Sequence, residues 1–546
     1  INFHTVYPTQ NHTVLYNVPI NVQASETPIP RRGTPRWDSD HVRMPCSTMS
    51  QYPLRKSDGT SEVVSRWDLI KTALQPPINT SKELETAILS YNSKYAKTWS
   101  FRGLHKLFAE SEEDSEAFFT RLLPKMMALA LQLPHLVPSA LPLLKQGCNQ
   151  SISLSQEQIA CLLANAFLCT FPRRNTSKWE SEYGNYPDIN FNRLFASTEA
   201  RCLEKIKCIC HYFKRILSQM PRGVVTFSRR YIDPRYLPRW DESTMRFSGI
   251  HVDVRTDGTI EDCRGLLQVD FANKFVGGGV LATGCVQEEI RFVICPELLI
   301  SRLFTEVLNR TEALHVIGAE QFSEYTGYAG TFEWKGDFVD ETPRDACGRR
   351  KCHIVAIDAL HFAEEVQQFQ AKLMIRELNK AYVGFLPCER GKPTYGVASG
   401  NWGCGAFNGD SKLKSLLQIM VCTLTRRDLV YFTFGDATLK SNIDELFTFL
   451  VEQNLAIRDV WRCLCEFSRK KLPGYTLYDY MYQKFRDPAP QTSKFSPGSS
   501  HSSPSPETPS LVDCLDDYYA RDNPNKKKPP PIRSPPKTIA DFFKKL

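Results

Sequence analysis

The chain has 546 residues, and 68 Lys plus Arg against 60 Asp plus Glu leave a formal charge of +8. Its 42% hydrophobic content, with 32 Phe, 21 Tyr and 8 Trp, excludes a wholly disordered chain, and no collagen-like or heptad repeat is present. The mild basic excess permits a polyanionic partner without requiring one, while 35 prolines look too many for a compact enzyme until they are mapped.

The sequence starts at Ile1 rather than Met, so it need not begin at the protein's own N-terminus. Residues 1–60 are polar and proline-dotted, which predicts an extended or disordered arm. From about Arg66 the apolar spacing turns helical. Trp67, Ile70 and Leu74 recur at helix intervals, as do Leu104, Leu107 and Phe108 and then Phe118, Phe119, Leu122 and Leu123. Ser155 followed by Gln158 has the form of a capping box before an apolar run. An all-helical accessory domain over residues 61–225 is expected. Inside it, residues 126–144 carry no charge, but Pro134, Pro138 and Pro142 would each remove a backbone donor that lipid cannot replace, so no membrane span is expected. Cys202, Cys208, Cys210 and His211 are the one cluster with a look of metal ligands. Their apolar helical spacing sends most of them to a core and no C-x-x-C pair lies near, so no metal is expected and the cysteines read as reduced thiols.

Over residues 226–486 the texture alternates. Strands are expected at 266–271, 314–317, 353–357, 382–386 and 430–434, with helices at 288–308, 362–380, 410–426 and 443–452. That alternation predicts an α/β layer whose ligand crevice lies beyond the strand C-termini. Residues 487–546 lose the apolar period and hold twelve of the prolines, which predicts a disordered tail. The tail carries Ser/Thr-Pro pairs and the basic cluster Lys526, Lys527 and Lys528, the latter read as a nuclear-import signal.

Two glycine loops stand out. Gly277, Gly278 and Gly279 follow a strand ending near Asp270, and glycines there would let backbone N–H groups approach a phosphate. After seven intervening residues Gln287, Glu288 and Glu289 open a helix. Adjacent glutamates are poorly placed to bracket a glycosidic bond from both faces, where a separation of roughly 5–9.5 Å is usual. One would then hold hydroxyls while the other protonates the leaving oxygen and afterwards deprotonates water. The bland alternative is a helix N-terminus carrying acids for its dipole. The second loop comprises Asn401, Trp402, Gly403, Cys404, Gly405, Ala406 and Phe407. Tyr325 and Tyr328, in a glycine-containing polar loop, are the better stacking candidates among the aromatics, beside Phe434.

The Gly-Gly-Gly and Gln-Glu-Glu pair, with Asp270 and Asn273 upstream, resembles the signature of poly(ADP-ribose) glycohydrolases. So do residues 320–329, 356–362, 400–407 and 430–436, and stretches of the helical region. The resemblance runs from about Arg66 to Arg486. It implies a macrodomain-like α/β catalytic core with an N-terminal helical accessory domain, acting in the nucleus in the DNA damage response. It implies hydrolysis of ribose–ribose O-glycosidic bonds in poly(ADP-ribose) and on poly-ADP-ribosylated proteins, without cofactor or metal. By position, Glu289 would be the general acid and base, Glu288 and Asn273 would orient ribose hydroxyls, and Asp270 would support their loop. Gln287 and the three glycines would sit beside ribose and diphosphate, and residues 401–407 would form a second diphosphate wall. Ile260 and Glu261 would flank the adenine, with Tyr328 and Phe434 stacking near it. The rivals are a non-hydrolytic polymer reader and a scaffold recruited to replication sites. For the scaffold, Ile539, Phe542 and Phe543 resemble a sliding-clamp-binding peptide with Pro536 where a leading Gln is usual. Sequence-specific nucleic-acid binding is not expected, and shuttling between nucleus and cytoplasm is compatible with the tail.

Overall fold

The computed structural model describes residues 3–22, 27–55, 58–175, 180–387 and 394–486. The basic cluster, the Ser/Thr-Pro pairs and the clamp-like peptide lie outside the described residues. The described residues form two compact units, one of residues up to Tyr231 with Arg264–Asp358, the other of Ile232–Cys263 with residues 359–486. This division does not follow a boundary at 225/226, because strands of the helical region enter the same sheet as the strand that leads to the glutamates.

In the first unit the strands run in the order His12–Val14, Gln150–Ser155, Val224–Tyr231, Glu312–Ile317, His353–Asp358 and Leu267–Ala272. The outermost pair at each end is parallel and the inner pairings are antiparallel. Helices of the 66–218 region share one apolar core with the helix Gln287–Ile294, through residues such as Leu104, Phe119, Phe167, Ile206, Phe213, Ile290 and Val293. The capping box is present: Ser155 Oγ accepts from the Gln158 amide at 3.1 Å and Gln158 Oε1 accepts from the Ser155 amide at 3.0 Å. In the second unit, Val397–Gly400, Leu429–Phe432 and Val252–Arg255 form parallel pairs in that order. Among the described residues no helix is long and apolar enough to cross a membrane.

Several expectations need correction. The arm is not featureless: His12–Val14 pairs into the sheet, Gln51–Arg55 pairs with Ser61–Ser65, and Leu15, Tyr16 and Val42 are buried. A three-residue edge strand is too short to show a period. The 61–225 region is helix-rich rather than all-helical, since Gln150–Ser155 is a strand. Residues 382–386 are not a strand but mostly the end of the helix Ala371–Phe385, where Met374, Leu378, Ala381 and Phe385 continue a buried helical stripe. The strand before the second glycine loop is Val397–Gly400 instead. The 288–308 helix breaks at Cys295, where Pro296 cannot donate to the ladder.

Candidate functional site

Within the first unit, the strand Leu267–Ala272 ends where the helix Gln287–Ile294 begins, and Gln287 ties the two together. Its Oε1 accepts from the Phe271 amide at 2.8 Å and its Nε2 donates to the Val269 carbonyl at 3.1 Å. The glutamates that follow turn into the glycine loop. Glu288 accepts from the amides of Asn273 (2.8 Å) and Gly277 (2.5 Å), and Glu289 from those of Gly279 and Val286, both at 2.9 Å. Asn273 turns its own side chain back on the loop, accepting from the Phe275 amide at 2.9 Å.

The glycines therefore do a different task from the one expected. The Gly277 and Gly279 amides go to the glutamates and the Gly278 amide to the Phe275 carbonyl. None of the three is left for a phosphate. Their missing side chains let the carboxylates close in: a Cβ on Gly278 would lie 2.5 Å from Glu289 Oε1 and 2.8 Å from Glu288 Oε2, at a φ of +47°. Gly284, across the loop, meets Glu289 in the same way at 2.8 Å.

Asp270, Glu288 and Glu289 are all buried, with exposures of 1%, 3% and 6%. Neither oxygen of Asp270 has a hydrogen-bond partner among the described residues. Burial first, then the charge of Glu289, pushes the Asp270 carboxyl up to about 8, with Arg291 opposing. Burial and the charges of Asp270 and Glu289 lift Glu288 well above the carboxylate range, against its two amide hydrogen bonds. Two carboxyls this close and this dry do not both ionise near neutral pH, so Asp270 and Glu288 keep a proton between them.

Two cations missed in the sequence brace the loop from its carbonyl side. Arg302 donates to the carbonyls of Val276 (2.9 Å) and Gly278 (3.1 Å), and burial brings its guanidinium down to about 10. Lys205, fully buried on the helix Ala200–Ser218, donates to the carbonyls of Val280, Ala282 and Gly284. A signal for Lys205 was present: it falls on the apolar stripe of Cys202, Ile206 and Ile209. Of the metal-like cluster on that helix, Cys202 and Cys208 are buried and His211 meets Asp337 at 2.9 Å. Among the described residues no group of three or more such side chains is arranged to hold a metal ion.

Tyr325 and Tyr328 separate. Tyr325 packs toward the core, 5.9 Å from the Phe332 ring. Tyr328 is 56% exposed, yet burial around its hydroxyl raises its pKa, with the Gln287 amide opposing and the charge of Glu289 adding to the rise.

The second unit holds the other candidates. Trp402 is fully buried under the Lys414 ammonium, 3.9 Å from the ring centroid, and Lys414 pairs with buried Glu377. Gly403 has a φ of +75° and touches Ala359 where a side chain would stand. Asn401 Oδ1 accepts from the Tyr431 hydroxyl at 2.9 Å, and the Cys404 amide returns to the Asn401 carbonyl. The amides of Gly405, Ala406 and Phe407 have no acceptor among the described residues, and Gly405 and Ala406 are exposed. Consecutive free amides are the material of an anion nest. Phe434, 48% exposed, stacks on Phe432 at 6.3 Å. Ile260 is 2% exposed and Glu261 half-buried, so the Ile260 side chain packs inside the protein.

Comparison with known proteins agrees with this arrangement. Residues 237–441 match the family model described as poly(ADP-ribose) glycohydrolase, macro domain fold, and residues 110–229 match the helical domain of the same family. The chain is 33% identical over 457 residues to a probable poly(ADP-ribose) glycohydrolase 2 of Arabidopsis thaliana, covering 71% of this chain and 86% of that protein. It is likewise 33% identical over 447 residues to poly(ADP-ribose) glycohydrolase 1 of the same plant, covering 66% of this chain and 80% of that protein. Poly(ADP-ribose) glycohydrolase 2 of Caenorhabditis elegans is 34% identical over 323 residues, 57% of this chain and 63% of that protein. With a macrodomain-fold segment, a helical domain and relatives aligned along most of its length, the chain belongs to the poly(ADP-ribose) glycohydrolase family, enzymes of the glycosidase type.

Proposed function

We propose that this chain hydrolyses the ribose–ribose O-glycosidic bonds of poly(ADP-ribose) and releases ADP-ribose, with Glu289 as the general acid and then the general base. The observation that carries the reading is the buried group of Asp270, Glu288 and Glu289 held over the glycine loop by backbone amides, where burial and mutual charge raise the pKa of Asp270 and Glu288. A ribosyl bond breaks through an oxocarbenium-like state, and a carboxylic acid that is still protonated can supply the proton its leaving oxygen needs. Each glutamate accepts from two backbone amides, and Glu289 is favoured over Glu288 because it neighbours the exposed Tyr328. Glu288 and Asn273 then orient ribose hydroxyls, and Asp270 supports their loop and raises the proton affinity of Glu288.

In the second unit the amides of Gly405, Ala406 and Phe407, without an acceptor among the described residues, suit a diphosphate and Phe434 offers an exposed ring for a base; in the first unit Tyr328 offers another exposed ring. The tail completes the proposal with nuclear import through Lys526, Lys527 and Lys528, and clamp docking through Ile539, Phe542 and Phe543. A 530–546 peptide whose clamp binding is unchanged by Phe542→Ala with Phe543→Ala would remove the docking. The activity is tested by incubating the protein with poly(ADP-ribose) and measuring free ADP-ribose. Release by the parent and its loss in Glu289→Gln, with ADP-ribose still bound, are the expected results. A parent that binds polymer and leaves it intact would make the chain a reader.

A further inference from the structure

Lys205 is an unusual residue for the place it occupies. It stands on the buried stripe of the 19-residue helix Ala200–Ser218, fully enclosed, where a charged side chain is rarely found without partners. Its partners are three backbone carbonyls, those of Val280 (2.8 Å), Ala282 (2.7 Å) and Gly284 (2.5 Å). An ammonium has three donors, and here all three converge on one five-residue stretch. That stretch links the last of the three glycines to the glutamate helix, and it closes on Glu289 at Gly284, where a Cβ would lie 2.8 Å from Glu289 Oε1. The neighbouring residue works on the other side: Glu204 Oε2 accepts from the Trp334 amide at 2.9 Å, on the hairpin strand Glu333–Asp337 that follows Tyr328. Farther along the helix His211 and Arg215 both meet Asp337.

We infer that Lys205 is a positioning residue for the hydrolysis: it fixes the loop that aims Glu289, so that a helix of the accessory region sets the geometry of the acid. The inference rests on the reading of Glu289 given above. Without the ammonium the carbonyls of Val280, Ala282 and Gly284 lose a common anchor, and the Gly279 and Val286 amides that hold Glu289 lose their fixed spacing. A carboxyl displaced by about 1 Å from the reacting oxygen costs on the order of a hundredfold in rate. Substrate recognition by groups outside this loop would be left in place. Lys205 also lies close enough to Glu289 for the two charges to interact, which opposes the burial that lowers the pKa of the ammonium.

The experiment compares Lys205→Met, Lys205→Gln and Lys205→Arg with Glu289→Gln in the full chain. It measures kcat and KM for ADP-ribose release from poly(ADP-ribose), ADP-ribose binding by calorimetry, and thermal melting. Expected for Lys205→Met and Lys205→Gln is a fall in kcat of about a hundredfold, with KM and ADP-ribose affinity within about threefold of the parent (under 0.7 kcal/mol). Lys205→Arg should recover part of kcat, because it restores charge and several donors. Full kcat in a folded Lys205→Met or Lys205→Gln protein would overturn the proposal. So would loss of ADP-ribose affinity in step with kcat in both, which would assign Lys205 to the fold alone. Full activity in Glu289→Gln would overturn the assignment of the acid instead, whatever the Lys205 variants do.

Discussion

The two glycine-rich loops look alike in sequence and use their backbones in opposite ways. In the first, the amides of Gly277 and Gly279 are occupied by Glu288 and Glu289, while Arg302 and Lys205 hold its carbonyls. In the second, the amides of Gly405, Ala406 and Phe407 have no acceptor among the described residues. Its anchor is a side chain, Trp402, buried beneath Lys414. A glycine loop is therefore not one kind of site. Where carboxylates fill the space that a Cβ would take, the loop orients an acid. Where amides stay unpaired and exposed, it is ready for an anion.

The sharpest way to break this comparison is to change the acid and leave the anion-binding backbone alone. Glu289→Gln keeps the side chain's size but sets an NH2 against an amide donor, at Gly279 or at Val286, and removes the titrating group. Turnover should fall by roughly 10³-fold, within the range for loss of a general acid. ADP-ribose affinity should change by only a few-fold. Release of ADP-ribose and calorimetric binding, measured on the same preparation, check both halves.

A smaller effect should separate the loops glycine by glycine. Gly278→Ala would put a methyl group 2.5 Å from Glu289 Oε1 at a φ of +47°, so both carboxylates must shift. A fall in kcat of about a hundredfold is expected, of the size that small misplacements cause. At Gly405 a Cβ meets nothing within 4 Å, so Gly405→Ala should leave the melting temperature near the parent's and show any loss of activity in KM, through the diphosphate, rather than in kcat. Equal losses in the two variants would show that the loops do not differ as described.

The contrast also marks what could be read from the sequence. The motif Gln287, Glu288 and Glu289 after three glycines was legible, as were the helix it opens, the strand before it and the capping box at Ser155. These rest on local pattern, which one sequence carries. The function of the glycine amides was not legible, because whether a backbone N–H meets a phosphate or a carboxylate depends on where a side chain ten residues away turns. Lys205 was hidden differently. It is about 75 residues from the carbonyls it holds, and it was passed over beside the more conspicuous Cys202, Cys208 and His211. The strand misplaced at 382–386 shows tertiary packing overriding propensity: Tyr382, Val383 and Phe385 favour strands, yet the stripe from Met374 to Phe385 needs a helix to be buried.

The smallest effect, and the one most specific to buried charge, lies in the pH dependence of stability. Asp270 has an ordinary value of 3.8 and sits near 8 in the fold, chiefly through burial. Between those values the folded state holds a proton that the unfolded state has lost, so its contribution is fully present below about 4 and is lost as pH rises through about 8. Glu377 beside the second loop has the opposite sign. Burial works against its charge, but Lys414 and Arg376 overcome it and hold the carboxyl below its ordinary 4.5. Its contribution is present above that value and is lost as pH falls through the lower folded value. Asp270→Asn should therefore melt higher than the parent at pH 9, with the advantage shrinking toward pH 4. Glu377→Gln should melt lower at pH 7, with the deficit narrowing on acidification. Some alkaline slope should survive in Asp270→Asn, because buried Glu297 is also pushed up to about 8. Melting curves from pH 4 to 9 test the pair, and two variants that shift in the same direction at every pH would remove the distinction between a protonated cluster and an ion-paired anchor.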